Sequence, residues 1–552
     1  MLRLSDPRAA LALPLALAIA CGGTSPAPVS APTPVPVAGR PSAAPPLPDV
    51  PLVDGPLAVR VQYPSPNQQI TSRDSNFIFG SVGSGRATLT VNGVPARVYN
   101  NGAFMVYLAN PPATAPRYDM VAARGADTAR ATLSIRLASV AARPAAPEPV
   151  ASKPENQPTS RADTVAALAA RIDSLRTQLV RNDPIGMVQL GQAAADTDRT
   201  VIGRPTPGGT YKWFFTPGTI VPLMSREAGF ARVRLDNGLD VFVDTGDAID
   251  LPAGTPVPRR TTANMRVRGS ANGVDVIIPV GPRAPYFVEE GDHSISVTLY
   301  GVRGNTDIVN YAAGDSMVRT VEWSQLTDDR ARVTVNLHSA PYGYLVRWEN
   351  NAIVLALRGR PAINATRPLA GLAIAVDPGH PPIGATGPTG FYEGTATLQI
   401  GVHLKRILEE RGANVVMTRT TDAPVALGDR PIIARRANAH AFVSIHLNAL
   451  PDGVNPFTHT GTGTYFFRTH SEPLAREVQR GMVSSLGLPD LGVNYDNLAV
   501  VRGTWYPAVL CEGAFVIMPD QEAALRTPEF QERYARGVAD GLENYFRTLG
   551  TR

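Results

Sequence analysis

Residues 372–393 read LAIAVDPGHPPIGATGPTGFYE, and no other stretch limits the fold of this chain as strongly. The apolar run 372–376 has the length of a buried strand, and Pro378-Gly379 ends it abruptly. That puts His380 at the carboxyl end of a strand, the edge where open α/β sheets bind ligands. A glycine-rich loop then carries the chain to Glu393, where a helical pattern begins. A histidine and a glutamate meeting at one sheet edge suit a first-row metal ion. Two later stretches have the same form, Ser444-Ile445-His446-Leu447-Asn448 and Leu510-Cys511-Glu512-Gly513.

From 367 to 552, short apolar runs alternate with helical patterns. Strands are expected at 372–376, 414–417, 441–445, 464–467 and 507–511. Ile400, Leu404, Ile407 and Leu408 mark a helix ending at Gly412, and Phe530, Tyr534, Val538, Leu542 and Tyr545 mark the last one. Such alternation predicts an α/β domain whose mainly parallel sheet is flanked by helices on both faces.

Two histidines and one carboxylate leave a fourth position of a tetrahedral zinc for water, as hydrolytic zinc requires. The metal lowers the pKa of that water to about 7 and polarises a scissile carbonyl. A second carboxylate then has to carry the proton to the leaving nitrogen, and Glu512 can take that part. His440, His459 and His470 compete with His446 for the second histidine position. Cys511 reads as a buried strand residue, because no Cys–His pair is matched to it.

These residues, with their neighbours, resemble the zinc-dependent N-acetylmuramoyl-L-alanine amidases of the amidase_3 family. The resemblance rests on Val376-Asp377-Pro378-Gly379-His380, on Glu393 opening a helix, and on Thr418-Arg419 with Asp422. Arg430, Ala437-Asn438, Ser444-Ile445-His446-Leu447-Asn448-Ala449 and Pro507-Ala508-Val509-Leu510-Cys511-Glu512 follow in the family's order. The resemblance implies Zn2+ held by His380, Glu393 and His446, with Glu512 as catalytic acid/base. It also implies hydrolysis of the amide between N-acetylmuramic acid and L-alanine in peptidoglycan. Asp377 is expected to orient a loop or ligand, or to cap its strand. Arg430 and Asn448 are each expected to brace the site or to touch substrate, bracing being the favoured reading for Arg430.

Some positions depart from the family pattern. Pro381-Pro382 replace Gly-Gly, Gly394 replaces a charged residue, Gly513-Ala514-Phe515 replaces Gly-Phe, and His440 stands where Asp is common. These departures keep a second reading open, a noncatalytic peptidoglycan-binding scaffold with a degenerate amidase domain. The third reading is a zinc peptidase cutting stem peptides. The span from His446 to Glu512 must hold a loop, a strand and a helix, which leaves little room for a long blocking helix.

The 552 residues correspond to about three to five domains, and the chain before 367 is β-rich. In 58–137 apolar residues alternate, as in Ala131, Leu133, Ile135 and Leu137, so a small antiparallel sandwich is expected. It resembles the immunoglobulin-like modules of bacterial surface proteins, with a spacer or binding role. Residues 184–258, with a hairpin turn at Asp236-Asn237-Gly238, resemble small Src-homology-3-like barrels. Residues 265–360 resemble the β-sandwich that targets wall amidases to peptidoglycan; Trp323 and Trp348 there read as partly buried core or as sugar platforms.

Arg3 and Arg8, an apolar run at 9–20 and then Cys21 resemble a bacterial lipoprotein signal over 1–21. An ordinary cleaved signal is the alternative; both export the chain to the periplasm or cell envelope, and the first anchors it to a membrane at Cys21. Residues 22–57, rich in Pro, Ala and Val, read as a tether. Residues 138–183 read as a second linker followed by a helical stripe of Val165, Leu168, Ile172, Leu175 and Leu179. Two cysteines give no disulfide framework. A net charge of +5 without a dense basic run suits polyanionic surfaces and gives no sign of a nucleic-acid partner. The expected partners are peptidoglycan and, through Cys21, a membrane, with an activator protein left open.

Overall fold

Apolar runs cut short by Gly, Pro and Asp turns build most of this molecule, so sheets dominate it until the last third. The structure is a computed structural model that describes residues 46–137, 183–192, 199–313 and 315–551. The expected signal with Cys21, the tether as far as residue 45 and the stripe at 165–179 lie outside the described residues. Among the described residues, no helix is long and apolar enough to cross a membrane.

The C-terminal domain positions the candidate site. In chain order it comprises β1 (Ala373–Pro378), α1 (Glu393–Glu410), β2 (Asn414–Met417), α2 (Asp429–Arg436) and β3 (Ala441–Asn448). There follow β4 (Thr462–Phe466), α3 (Glu472–Leu486), β5 (Asp490–Tyr495), β6 (Ala508–Phe515), α4 (Pro519–Leu525) and α5 (Pro528–Gly550). The sheet order is β2-β1-β3-β6-β4-β5. Every pairing is parallel except β4 with β6.

Three expectations need correction. The strands run further than the apolar runs, so His446 and Glu512 lie inside β3 and β6. The ladder continues because backbone pairing does not depend on apolar side chains. The strand β5 was missed, because Asp490-Leu491-Gly492-Val493-Asn494-Tyr495 has no apolar run and its Gly492 sits at φ +77°. Finally, the two faces of the sheet are covered differently. Ile374, Val376, Val443, Ile445, Val509 and Cys511 pack under α1, α3 and α5. On the other face Ala375, Phe442, Ala508 and Leu510 meet Ala434 of the short α2, Trp505 and Tyr506 just before β6, and Ala356 of the preceding β-rich region. Helices therefore cover one face fully, and a β module shares the other.

The β-rich regions have their own cores. Seven strands between Arg60–Tyr63 and Asp127–Ser134 form one antiparallel sheet, Val94–Val98 being the strand that links its two halves around a core including Ile78, Phe104 and Tyr118, and Gln69–Ile70 pairs in parallel with Arg136–Leu137. Residues 46–57, expected as the end of the tether, are tied down: Val53 N donates to Asn100 O and Gly55 N to Gly83 O. Between 186 and 250 a five-stranded antiparallel sheet turns at Asp236-Asn237-Gly238. From 265 to 358 a five-stranded and a four-stranded sheet enclose one core. In that pair Trp323 packs on Gly304 and donates Nε1–H to Thr306 O, and Trp348 packs against the core.

Candidate metal centre

The loop after β1 begins in close contact with β3. A Cβ on Gly379 would lie 2.5 Å from the His446 ring, so glycine is required there. His380 takes φ +60°, a left-handed backbone that histidine tolerates better than most residues. Glu393 is the first residue of α1 and is buried.

These three side chains converge. Glu393 Oε1 is 3.1 Å from His380 Nε2 and 3.3 Å from His446 Nδ1. The two imidazole rings meet edge to face with centroids 4.8 Å apart. Ligand atoms of His380, Glu393 and His446 all lie within 4.8 Å of one another, the one such group of metal-ligating side chains among the described residues. Backbone N–H groups hold the carboxylate: Leu447 N donates to Oε1 and Ala385 N to Oε2, both at 2.9 Å. Burial alone would raise the Glu393 carboxyl. Hydrogen bonds and charge from the two histidines outweigh it and hold the carboxyl at about 2. Two imidazole nitrogens facing one ionised carboxylate oxygen are a donor set of the kind zinc takes, so the residues fit that ion.

Glu512 faces His446 across the β3–β6 ladder. Its Oε2 is buried and has no hydrogen-bond partner. Burial, then the charge of Glu393, push this carboxyl well above the ordinary carboxylate range. Gly513 is explained by Tyr534 of α5, whose ring would lie 2.3 Å from a Cβ there. The Tyr534 Oη accepts Gly513 N–H at 2.8 Å and lies 2.8 Å from the Cys511 carbonyl and 3.1 Å from that of His446. Sequence reasoning saw Tyr534 only as part of an apolar helical stripe.

Asp377 is a fully buried hub. It accepts from Thr418 Oγ1, from Arg430 Nη1 at 2.8 Å and from Ser444 Oγ at 2.6 Å. Arg430 also donates to the carbonyls of Pro378, His380 and Pro381, so it braces the loop that carries His380. Arg419 does the same for Pro378 and Gly379 and reaches Gly394 O. Gly394 has no room for the family's charged side chain, since a Cβ would lie 2.4 Å from the Tyr392 ring. Asn448, at the end of β3, hydrogen-bonds Tyr465. Glu522 of α4, which the sequence did not single out, accepts from Thr389 N at 3.0 Å and Phe391 N at 3.1 Å in the loop before Glu393. A carboxylate followed by apolar helix residues carries no local sign of such a role.

The other histidines lie elsewhere. His440 precedes β3 at the opposite end of the sheet, and its Nδ1 accepts Ala373 N–H at 2.9 Å. His470 pairs with Glu290 at 3.1 Å. His459 is exposed and contacts Thr458 and Asn455. Cys511 is buried and free. The helix between His446 and Glu512, α3, packs on α5.

The profile of the family described as N-acetylmuramoyl-L-alanine amidase (Amidase_3) matches residues 374–544. The sporulation-specific N-acetylmuramoyl-L-alanine amidase of Bacillus subtilis (strain 168) is 35% identical over 187 residues, 32% of this chain and 69% of that protein. The uncharacterized protein YqiI of the same organism is 32% identical over 206 residues, 36% of this chain and 97% of YqiI. "Probable cell wall amidase LytH" of Staphylococcus epidermidis is 31% identical over 208 residues, 37% of this chain and 67% of that protein.

Proposed function

Because this chain belongs to the N-acetylmuramoyl-L-alanine amidase family (Amidase_3), we propose that it is a zinc-dependent hydrolase of the amide joining N-acetylmuramic acid to L-alanine in peptidoglycan. The observation that carries the metal reading is the convergence of His380 Nε2 and His446 Nδ1 on Glu393 Oε1. These three residues would hold Zn2+, which supplies Lewis acidity toward water and the scissile carbonyl. The chain's own residues do the rest. Asp377, Arg430 and Arg419 fix the loop that aims His380. Glu512, with one unpaired buried oxygen, takes the proton of the attacking water at Oε2 and returns it to the leaving nitrogen. Burial raises its pKa, which makes the carboxylate a stronger base for that proton.

The cell-wall names of the relatives support an exported, envelope-located enzyme. Anchoring at Cys21, periplasmic residence and an activator partner belong to this proposal, as does wall binding by the modules at 184–258 and 265–360. Mass spectrometry of purified peptidoglycan digests tests the reading. The expected products are free L-alanyl peptides and bare glycan, formed in zinc-replete buffer and lost with chelator. Peptides cut within the stem would favour the peptidase reading, and wall binding without hydrolysis would favour the scaffold reading.

A further inference from the structure

The N-terminal β module, expected as a spacer or binding module, packs against the strands that carry His446 and Glu512. The connection from Asn448 to Thr462 leaves β3 where Asn448 stands opposite Phe515 and enters β4 where Gly463 stands opposite Glu512. Its last residue, Thr462, donates its hydroxyl to Gly513 O next to Glu512, and residues 449–461 have no helix or strand of their own. Long irregular connections of this kind are costly to order and are often functional.

The β module holds its middle. The Asp452 carboxylate accepts from Tyr63 Oη, from Thr71 N at 2.7 Å and from Thr71 Oγ1 at 2.9 Å. Gly453 N donates to Asn76 Oδ1 at 3.0 Å, and Gly453 O accepts from Tyr107 Oη at 2.9 Å. Gly453 takes φ +84°, and a Cβ there would lie 2.7 Å from Ser72 Cβ, so the two surfaces meet with no space for a side chain. Behind these polar contacts Phe77, Phe79 and Met105 of the module share one buried core with Ile445, Leu447 and Phe515 of the C-terminal domain. Tyr63 stacks on Phe77 with centroids 4.9 Å apart.

We propose that this module positions the wall of the substrate site beside Glu512, with Asp452 as the positioning residue, and so governs how peptidoglycan binds; this rests on the amidase reading above. A wall already ordered in the free protein spares the substrate the entropy of ordering it. The effect falls on substrate binding, and zinc and the proton transfer at Glu512 are untouched.

The test compares the full-length protein with Asp452→Ala and with the milder Tyr107→Phe. Three quantities are read: hydrogen exchange across residues 449–461, zinc content, and KM and kcat on a soluble glycan fragment carrying stem peptides. Asp452→Ala is expected to speed exchange in the connection and raise KM roughly tenfold, with kcat within about twofold and zinc content unchanged. Tyr107→Phe moves in the same direction by less, and decides the matter if Asp452→Ala does not fold. Unchanged exchange, or faster exchange with unchanged KM, overturns the proposal. Calorimetric binding of the same fragment gives the substrate readout without hydrolysis. A wild-type protein that binds the fragment but releases no L-alanyl peptide sinks the amidase reading alone.

Discussion

The two ends of strand β3 carry the same residue type and do opposite things. At the amino end, His440 Nδ1 accepts Ala373 N–H and the His440 carbonyl accepts Tyr342 Oη at 2.6 Å. Burial, with the charge of Arg358 nearby, pushes His440 down to about 4, so it stays neutral at pH 7. Arg358 itself donates to the carbonyls of Ala439, Trp505 and Asn438. At the carboxyl end, His446 and His380 face one carboxylate, and Glu512 Oε2 has no partner. The amino end packs against the 265–358 module, and the carboxyl end sets Glu512 Oε2 beside three converging metal-ligating side chains. A buried polar atom without a partner costs free energy; at Glu512 it lies opposite His446 and near the charge of Glu393, which supports the role proposed for it.

The comparison can be broken. The largest effect is expected at the carboxyl end, where Glu512→Ala should lower hydrolysis by roughly 10²–10⁴-fold while zinc content stays the same. Loss of zinc in that variant would make Glu512 a ligand and undo the division of roles. At the amino end Arg358→Ala should lower stability by about 2–3 kcal/mol, read as a fall in Tm, with zinc affinity unchanged. A fall in zinc affinity there would join the two ends into one unit.

The smallest effect concerns acid. Burial alone would raise Glu290, but the charge and hydrogen bonds of His470, with Arg468, hold it at about 2. A carboxyl depressed in the folded state adds stability above its ordinary value near 4.5, and that stability fades as pH falls through about 2. Thermal melts of wild type and Glu290→Gln across this window should converge as the pH drops. Parallel curves would remove the ion pair from the seam's account.

Much of the site was legible before any coordinates. His380, His446 and Glu512 each follow or interrupt an apolar run and Glu393 opens a helical pattern, and both are local signals. Tyr534, Glu522 and Asp452 were not legible, because each acts on a backbone group distant in the sequence. Gly394 looked like a departure from the family pattern, and the ring of Tyr392 supplies its physical reason; the ring of Tyr534 does the same for the glycine at 513. The expected helices on both faces held only in part, for a related reason. Period reveals which side of a strand is apolar but not what covers it, and here Ala356 of a β module shares the work with α2.

By itself, the sequence determined the alternation of strands and helices in the last third, the order of the candidate ligands and the hairpin at Asp236-Asn237-Gly238, since each depends on residues a few positions apart. The tertiary structure decided that three ligand atoms meet, that Glu512 Oε2 is left alone, and that a module near residue 63 grips residue 452. Those outcomes depend on packing between segments tens to hundreds of residues apart, and a linear pattern carries no record of which surfaces will touch.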